Sequence, residues 1–262
     1  MIKTWILGPC SLENEQMFIE TGKYLSKIME GKNWIYKASF DKANRSSIDG
    51  KRGVGLEKSI EIFKKIKKQI PNLKLTTDIH EVWQVEKFAE IIDIIQIPAF
   101  LCRQTDLIVE CAKHFNIVNI KKGQWMSPQN MVKGIDKIKN VNPDAQAWIT
   151  ERGTQFGYTQ LIVDFGAVDF LRRHVDAVIL DTTHSTQRLK PNGRTGGDSK
   201  LAEKYMMVAD IFGYDGIFAE THPNPPEAYS DGDSQMRLDK IGESIKRVDE
   251  ISKIINIEYN YD

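Results

Sequence analysis

The sequence predicts an α/β fold: a closed (β/α)8 barrel forming a single domain over residues 1–262. Three observations predict it. Short apolar, β-branched runs alternate with longer amphipathic segments along the whole chain. Eight such runs occur, and 262 residues is a length that eight βα units fill. No Pro/Gly/Ser-rich linker and no internal sequence repeat interrupts the alternation. Near-continuous apolar runs fit parallel strands buried on both faces, so the eight are expected to close into a TIM barrel rather than an open doubly wound sheet.

The first strand is predicted at Trp5-Ile6-Leu7, leaving Gly8-Pro9-Cys10 at its exit. The second, Trp34-Ile35-Tyr36, exits into the polar run Lys37-Ala38-Ser39-Phe40-Asp41-Lys42-Ala43-Asn44-Arg45-Ser46-Ser47 and the turn Arg52-Gly53-Val54-Gly55. Leu56, Ile60, Phe63, Ile66 and Ile70 then recur at spacings of three and four, which predicts a helix with Lys64-Lys65-Ile66-Lys67-Lys68 on its solvated side. The third strand, Leu73 to Thr77, exits into Asp78-Ile79-His80-Glu81, and the fourth, Ile91 to Ile97, carries Gln96 and leads to Arg103. Thr105 is the expected N-cap of the next helix, whose Leu107, Val109, Ala112 and Phe115 share a face. Strands five to eight are predicted at Ile117–Ile120, Ala147–Thr150, Ala177–Leu180 and Gly216–Ala219. Their exits are Lys121-Lys122, Glu151-Arg152, Asp181-Thr182-Thr183-His184 and Glu220-Thr221-His222. A last helix is predicted from Leu238 through Ile255, with Ile241, Ile245, Val248, Ile251 and Ile255 on one stripe.

Composition excludes several classes of function. Lys+Arg and Asp+Glu are both 36, so there is no basic excess for nucleic acid. Mean hydropathy is −0.39 and no apolar run is long enough to cross a bilayer, so no membrane partner is expected. The start, Met1 to Gly8, lacks a signal-peptide core, and three cysteines without paired spacing do not make a disulfide framework. A reducing cytoplasm is the expected location.

In this barrel class the active residues sit at the C-terminal ends of the strands. Lys37, Lys42, Arg45, Arg103, Lys121 and Arg152 are therefore expected around one mouth, where they repel one another unless anions lie among them. Some should pair with Asp41, Asp78, Glu151 and Asp181, leaving a cationic surplus for phosphates or carboxylates. A phosphorylated, anionic small molecule is the expected substrate class. Cys10, His184 and Glu220 end strands one, seven and eight, which are neighbours in a closed barrel, and Asp231 follows strand eight. The set suits a borderline divalent metal. It also suits a buried thiol beside a hydrogen-bonded imidazole, because no tight spacing motif joins the four.

Together, Gly8-Pro9-Cys10, the run Lys37 to Ser47, Thr77-Asp78-Ile79-His80-Glu81, Gln96 to Leu107 and Glu151-Arg152-Gly153 resemble the 3-deoxy-D-manno-octulosonate 8-phosphate synthases. The resemblance runs nearly end to end, dense to about Asp164 and thinner beyond it. It implies a homotetrameric barrel that condenses phosphoenolpyruvate with D-arabinose 5-phosphate and water, a step toward the inner sugar of bacterial lipopolysaccharide. It implies that Lys37, Lys42, Lys121 and Arg152 hold phosphoenolpyruvate, with Gln96 and Arg103 lining the same pocket. Asn44, Arg45 and Ser46 would grip the pentose phosphate, with Asp78 near its hydroxyls. Lys42, His184 and Asp231 would be catalytic, the first two as proton carriers.

Cys10, His184, Glu220 and Asp231 match the ligands of the metal-dependent subgroup, which implies Zn, Fe, Mn or Cd; the metal-independent subgroup has Asn in place of this Cys. Two departures stand out. Val54 replaces a frequent Pro, and Asp198-Ser199-Lys200 follow Gly196-Gly197 where the family places basic residues in the loop from Gln187 to Asp198. The nearest rival resemblance is to the erythrose 4-phosphate synthases of the aromatic pathway. Their loop reads Lys-Pro-Arg-Thr-Ser, where this chain has Lys42-Ala43-Asn44-Arg45-Ser46. A non-catalytic phosphosugar binder is the rival from another class, and it would not need the four metal-type ligands.

Overall fold

The structure is a computed structural model and describes residues 2–45, 47–156, 159–189 and 195–258. Strands and helices alternate as β1 (Thr4–Gly8), α1 (Glu15–Ile28), β2 (Trp34–Lys37), α2 (Leu56–Gln69), β3 (Lys74–Asp78), α3 (Val85–Phe88) and β4 (Ile94–Ile97). They continue as α4 (Thr105–His114), β5 (Ile117–Lys121), α5 (Pro128–Val141), β6 (Gln146–Glu151), α6 (Ala167–Leu171) and β7 (Ala177–Asp181). A two-residue hairpin, β8 (Arg188–Leu189) and β9 (Thr195–Gly196), precedes α7 (Ser199–Ala209) and β10 (Gly216–His222); β11 (Met236–Arg237) and α8 (Ile241–Glu258) complete the order. Strands β1 to β7 pair in sequence, all parallel, and β10 pairs with both β7 and β1, which closes the barrel.

The interior is layered by the two-residue period of the strands. Ile6, Ile35, Ile94, Trp148, Ile179 and Phe218 form an apolar cluster of their own at the barrel centre. Two residues further along the same strands stand Gly8, Lys37, Gln96, Thr150, Asp181 and Glu220. The same step that makes a dry floor therefore puts a polar layer directly above it. The second, larger core lies between strands and helices and includes Leu7, Tyr36, Leu75, Ile95, Ile120, Ile149, Leu180 and Ile217.

Three aspartates latch the opposite, N-terminal face. Asp93, Asp176 and Asp215 each precede a strand, and each exchanges two hydrogen bonds with one residue of the neighbouring strand. Asp93 does so with Leu75 (3.0 and 2.8 Å), Asp176 with Ala147 (3.0 and 2.8 Å) and Asp215 with Val178 (2.9 and 3.0 Å).

The fold matches the expectation, and of the boundaries that move three have a visible cause. Ile91 and Ile92 are not in a strand; both N–H groups bond to the Phe88 carbonyl at 3.0 and 2.9 Å. This turn is buried, so it reads as apolar as the strand it precedes. Thr105 opens α4 as its first helical residue while Gln104 takes the cap position, and the Thr105 hydroxyl accepts from Lys137 Nζ at 2.8 Å. Leu238 lies before α8, its N–H on the His222 carbonyl at 3.1 Å, so the last helix starts three residues later than its apolar stripe predicts.

Candidate active site

The polar layer opens into a cavity of about 900 Å³ at the C-terminal ends of the strands. Lys37, Lys42, Asn44, Arg45, Asp78, Gln96, Lys121, Arg152, His184 and Asp231 all line it. Cys10 and Glu220 lie just beneath, buried. Gly8 permits this, because a Cβ there would collide with the Lys37 carbonyl and push β1 and β2 apart.

One ligand atom from each of Cys10, His184, Glu220 and Asp231 lies within 4.8 Å of the others, so the four could hold a metal ion. His184 Nε2 is 3.6 Å from Glu220 Oε2 and 4.0 Å from Asp231 Oδ2, and Cys10 Sγ is 3.3 Å from that same Asp231 oxygen. Glu220 Oε2 is buried without a hydrogen-bond partner. An orphaned carboxylate oxygen facing an imidazole, a thiol and a second carboxylate fits a cation among them. Burial and then Glu220 push the Cys10 thiol well above its ordinary value, against Lys42. A divalent cation would remove that barrier, since coordination favours the thiolate.

The cations divide into two groups. Lys37 pairs with Glu220 (3.2 Å) and Asp78 (3.9 Å), and Lys121 pairs with Asp181. Burial opposes the Lys37 charge, but Asp78 and Glu220 outweigh it and raise its affinity for the proton. For Lys121 burial prevails over Asp181 and lowers it. Lys42, Arg45 and Arg152 have no ion pair with a described carboxylate. Lys42 Nζ instead donates to Cys10 Sγ at 3.0 Å, and Arg152 donates to the carbonyl of His184 at 3.4 Å and to Gln187 Oε1. The expected internal pairing is thus real for Asp78 and Asp181, whereas Asp41 is taken by Arg52 and Glu151 by Lys122. A chain of hydrogen bonds runs through the polar layer: Gln96 donates to Asp78, Asn119 to Gln96 at 3.4 Å, and Thr150 to Asn119 at 2.8 Å.

Arg45 reaches across the mouth. Its guanidinium donates to Ser230 Oγ at 2.9 Å and to the Tyr229 carbonyl at 3.0 Å, tying the loop after β2 to the loop after β10. Ser230 in turn donates to Asp231 Oδ2 at 2.6 Å. Arg103 is not brought to the cavity; its side chain is exposed before α4. Ser46 and the segment Lys190 to Arg194 of the seventh loop lie outside the described residues. Sequence reasoning missed Gln187, which accepts from Arg152 and donates to Asp231 Oδ1 at 2.6 Å. It expected Asp181 to pair with a cation of the mouth but not to anchor His184, which it does. An uncharged amide in a polar loop carries no signal of its own, whereas the three-residue spacing of Asp181 and His184 could have suggested their contact.

The fold and this site define a barrel enzyme with a cationic mouth beside a Cys/His/Glu/Asp set that could hold a metal ion. The profile of the DAHP synthetase I family matches residues 3–256, and the chain belongs to that family. Its relatives include the 2-dehydro-3-deoxyphosphooctonate aldolase of Wolinella succinogenes, 44% identical over 244 residues, covering 88% of this chain and 92% of the relative. Proteins of the same name from Helicobacter hepaticus (42% over 260 residues, 94% and 96% covered) and Francisella tularensis subsp. holarctica (41% over 253 residues, 95% and 90% covered) are similar over the same span.

Proposed function

We propose that this chain condenses phosphoenolpyruvate with D-arabinose 5-phosphate and water, giving 3-deoxy-D-manno-octulosonate 8-phosphate and phosphate on the way to lipopolysaccharide. The observation that carries the reading is one cavity joining five cationic side chains to the Cys/His/Glu/Asp set, in a chain whose relatives are aldolases of that eight-carbon phosphate. An eight-carbon keto acid less a three-carbon pyruvyl unit leaves a five-carbon phosphosugar as the second substrate.

Lys37, Lys42, Lys121 and Arg152 hold the carboxylate and phosphate of phosphoenolpyruvate, with Gln96 beside them. Asn44, Arg45 and Ser46 grip the pentose phosphate, and Asp78 accepts from its hydroxyls. The methylene carbon of phosphoenolpyruvate attacks the aldehyde carbon, whose oxygen takes a proton. The neighbouring carbon is left cationic and is captured by water, which gives up a proton. The resulting hemiketal phosphate expels phosphate through carbon–oxygen cleavage and leaves the ketone. No covalent enzyme intermediate is needed, so catalysis is positioning and fixed charge.

Lys42 and His184 carry the protons. Asp231 faces both. Burial opposes the Lys42 charge, but Cys10, Glu220 and Asp231 outweigh it and hold the ammonium protonated. A metal held by Cys10, His184, Glu220 and Asp231 (Zn, Fe, Mn or Cd) supplies Lewis-acid charge that orients the aldehyde or lowers the pKa of water. The enzyme acts as a single domain over residues 1–262, as a homotetramer, in the cytoplasm; among the described residues no helix is long and apolar enough to cross a membrane.

The test is phosphate release from phosphoenolpyruvate by chelator-stripped protein, with arabinose 5-phosphate or erythrose 4-phosphate, each with and without Mn²⁺, Zn²⁺ or Cd²⁺. Release with the five-carbon sugar alone, and only with metal, is expected. Erythrose 4-phosphate is the second reading, because the matched family profile is that of the DAHP synthetases. Release with that sugar would move the chain to it, and release without metal would remove the cation role of Cys10.

A further inference from the structure

Behind the barrel wall lies a buried ion pair that this reaction does not use. Lys122 and Glu151 are each one residue out of step with Lys121 and Arg152, which line the cavity, so their side chains leave the opposite face of β5 and β6. Both side chains are 1% exposed, with Lys122 Nζ 3.4 Å from Glu151 Oε1. Lys122 also donates to the carbonyl of Gly153 and to Thr154 Oγ1, both at 3.1 Å. Glu151 Oε1 accepts the Gly153 N–H at 2.6 Å. The pair therefore holds both polar backbone groups of the residue that follows Arg152.

That residue is constrained further. Gly153 has φ 92, and a Cβ there would lie 2.9 Å from Leu161 Cβ, so the chain leaves Arg152 along a path only glycine takes easily. Buried ion pairs add little net stability, because desolvation offsets their attraction. A fully buried pair on this turn calls for another explanation, and its position supplies one. Glu151 pairs with Lys122 and not with the adjacent Arg152. Burial raises the Glu151 carboxyl and Lys122 only partly offsets that rise, while Oε2 is buried without a hydrogen-bond partner, so the carboxyl leans on this one lysine.

We propose that Lys122 and Glu151 are positioning residues for phosphoenolpyruvate. They fix the turn that aims Arg152 into the cavity, and by neutralising each other behind the wall they leave the Arg152 charge to the substrate anion. This rests on the reading that Arg152 holds phosphoenolpyruvate.

The experiment measures phosphoenolpyruvate binding to the full chain by intrinsic tryptophan fluorescence, together with the KM of each substrate. It compares the natural sequence, Lys122→Met, and Lys122→Met combined with Glu151→Gln. Lys122→Met should weaken phosphoenolpyruvate binding by about tenfold or more, as misaligned substrate-holding groups do, while the KM for the pentose phosphate stays put. The double variant should recover most of that loss, because no unpaired carboxylate remains behind Arg152 and Gln still accepts from Gly153. Unchanged binding in a folded Lys122→Met protein would overturn the inference, as would equal losses for both substrates or a double variant no better than the single. If Lys122→Met does not fold, Lys122→Gln, which keeps a donor for the Gly153 carbonyl but leaves the carboxyl unpaired, takes its place: a selective loss of phosphoenolpyruvate binding supports the inference and natural binding overturns it. A natural protein that binds no phosphoenolpyruvate would overturn the functional reading as well, which separates the two failures.

Discussion

His184 Nδ1 lies 2.8 Å from Asp181 Oδ2, and the other oxygen of Asp181 accepts the His184 backbone N–H at 2.8 Å. Burial alone would raise the Asp181 carboxyl, but His184 and Lys121 outweigh it and hold it well below the usual carboxylate range. An ionised carboxylate only accepts, so Nδ1 carries the imidazole proton and Nε2 presents its lone pair to Glu220 and Asp231.

Asp181→Asn should therefore loosen the ring without emptying the site. Metal affinity is expected to fall by about 10- to 100-fold, the usual cost of losing the partner behind a histidine ligand. Competition with a chromogenic chelator measures this directly, and an unchanged affinity would show that Asp181 does not orient His184.

Arg45→Ala removes two hydrogen bonds that join the second and eighth loops, as well as the charge proposed to hold the pentose phosphate. Charged hydrogen bonds contribute roughly 1.5–3 kcal/mol each, so the pentose phosphate KM should rise by about tenfold or more. The KM for phosphoenolpyruvate should move much less. Steady-state kinetics with each substrate varied in turn checks the split, and an unmoved sugar KM would count against the assignment.

Asp78 gives a pH signature. Burial would raise its carboxyl, but Lys37, Lys42 and other nearby cations outweigh that and depress it well below the ordinary value. A depressed carboxylate adds stability that is present above its unfolded pKa, about 3.9, and lost as pH falls toward the folded value. Asp78→Asn should thus lose less thermal stability than the natural sequence when melts at pH 5 are compared with melts at pH 3. Parallel acid limbs would rule this out.

Asp215 tests the far face. Its side chain accepts from Val178 N at 3.0 Å and pairs with Lys3 at 3.1 Å, far from the cavity lining. Asp215→Ala leaves the Val178 N–H without its acceptor, a cost of about 1–3 kcal/mol. Thermal denaturation should show the loss, while kcat with saturating substrates stays at the natural value; a large fall in kcat would mean that this face is not merely a latch.

Much of the site was legible because barrel geometry turns sequence position into place. Lys37, Gln96, Asp181 and Glu220 each follow an apolar strand residue by two, so they had to stand above the floor. Arg103 shows the limit: a cation near a strand exit was expected at the mouth, but the turn at residues 99–101 carries it past the rim to the exposed start of α4. Thr105 and Leu238 moved for a similar reason, since side-chain type marks a helix end only to within a residue or more, and tertiary hydrogen bonds select the final boundary.

By itself the sequence determined the alternation of strands and helices, the polarity of the barrel and the chemical character of its mouth. These follow from periods of two and 3.6 residues, which are local properties. Only the tertiary structure decided which groups meet. Cys10 and Asp231 are 221 residues apart and come within 3.3 Å because β1 and β10 pair to close the ring. Alternation along β5 sets Lys121 in the cavity and Lys122 behind the wall, and the pairing of β5 with β6 then brings Lys122 to Glu151. Because Lys122 takes Glu151, Arg152 has no ion pair with a described carboxylate. Charge pairing depends on distances across strands, and no periodicity along one chain encodes those distances.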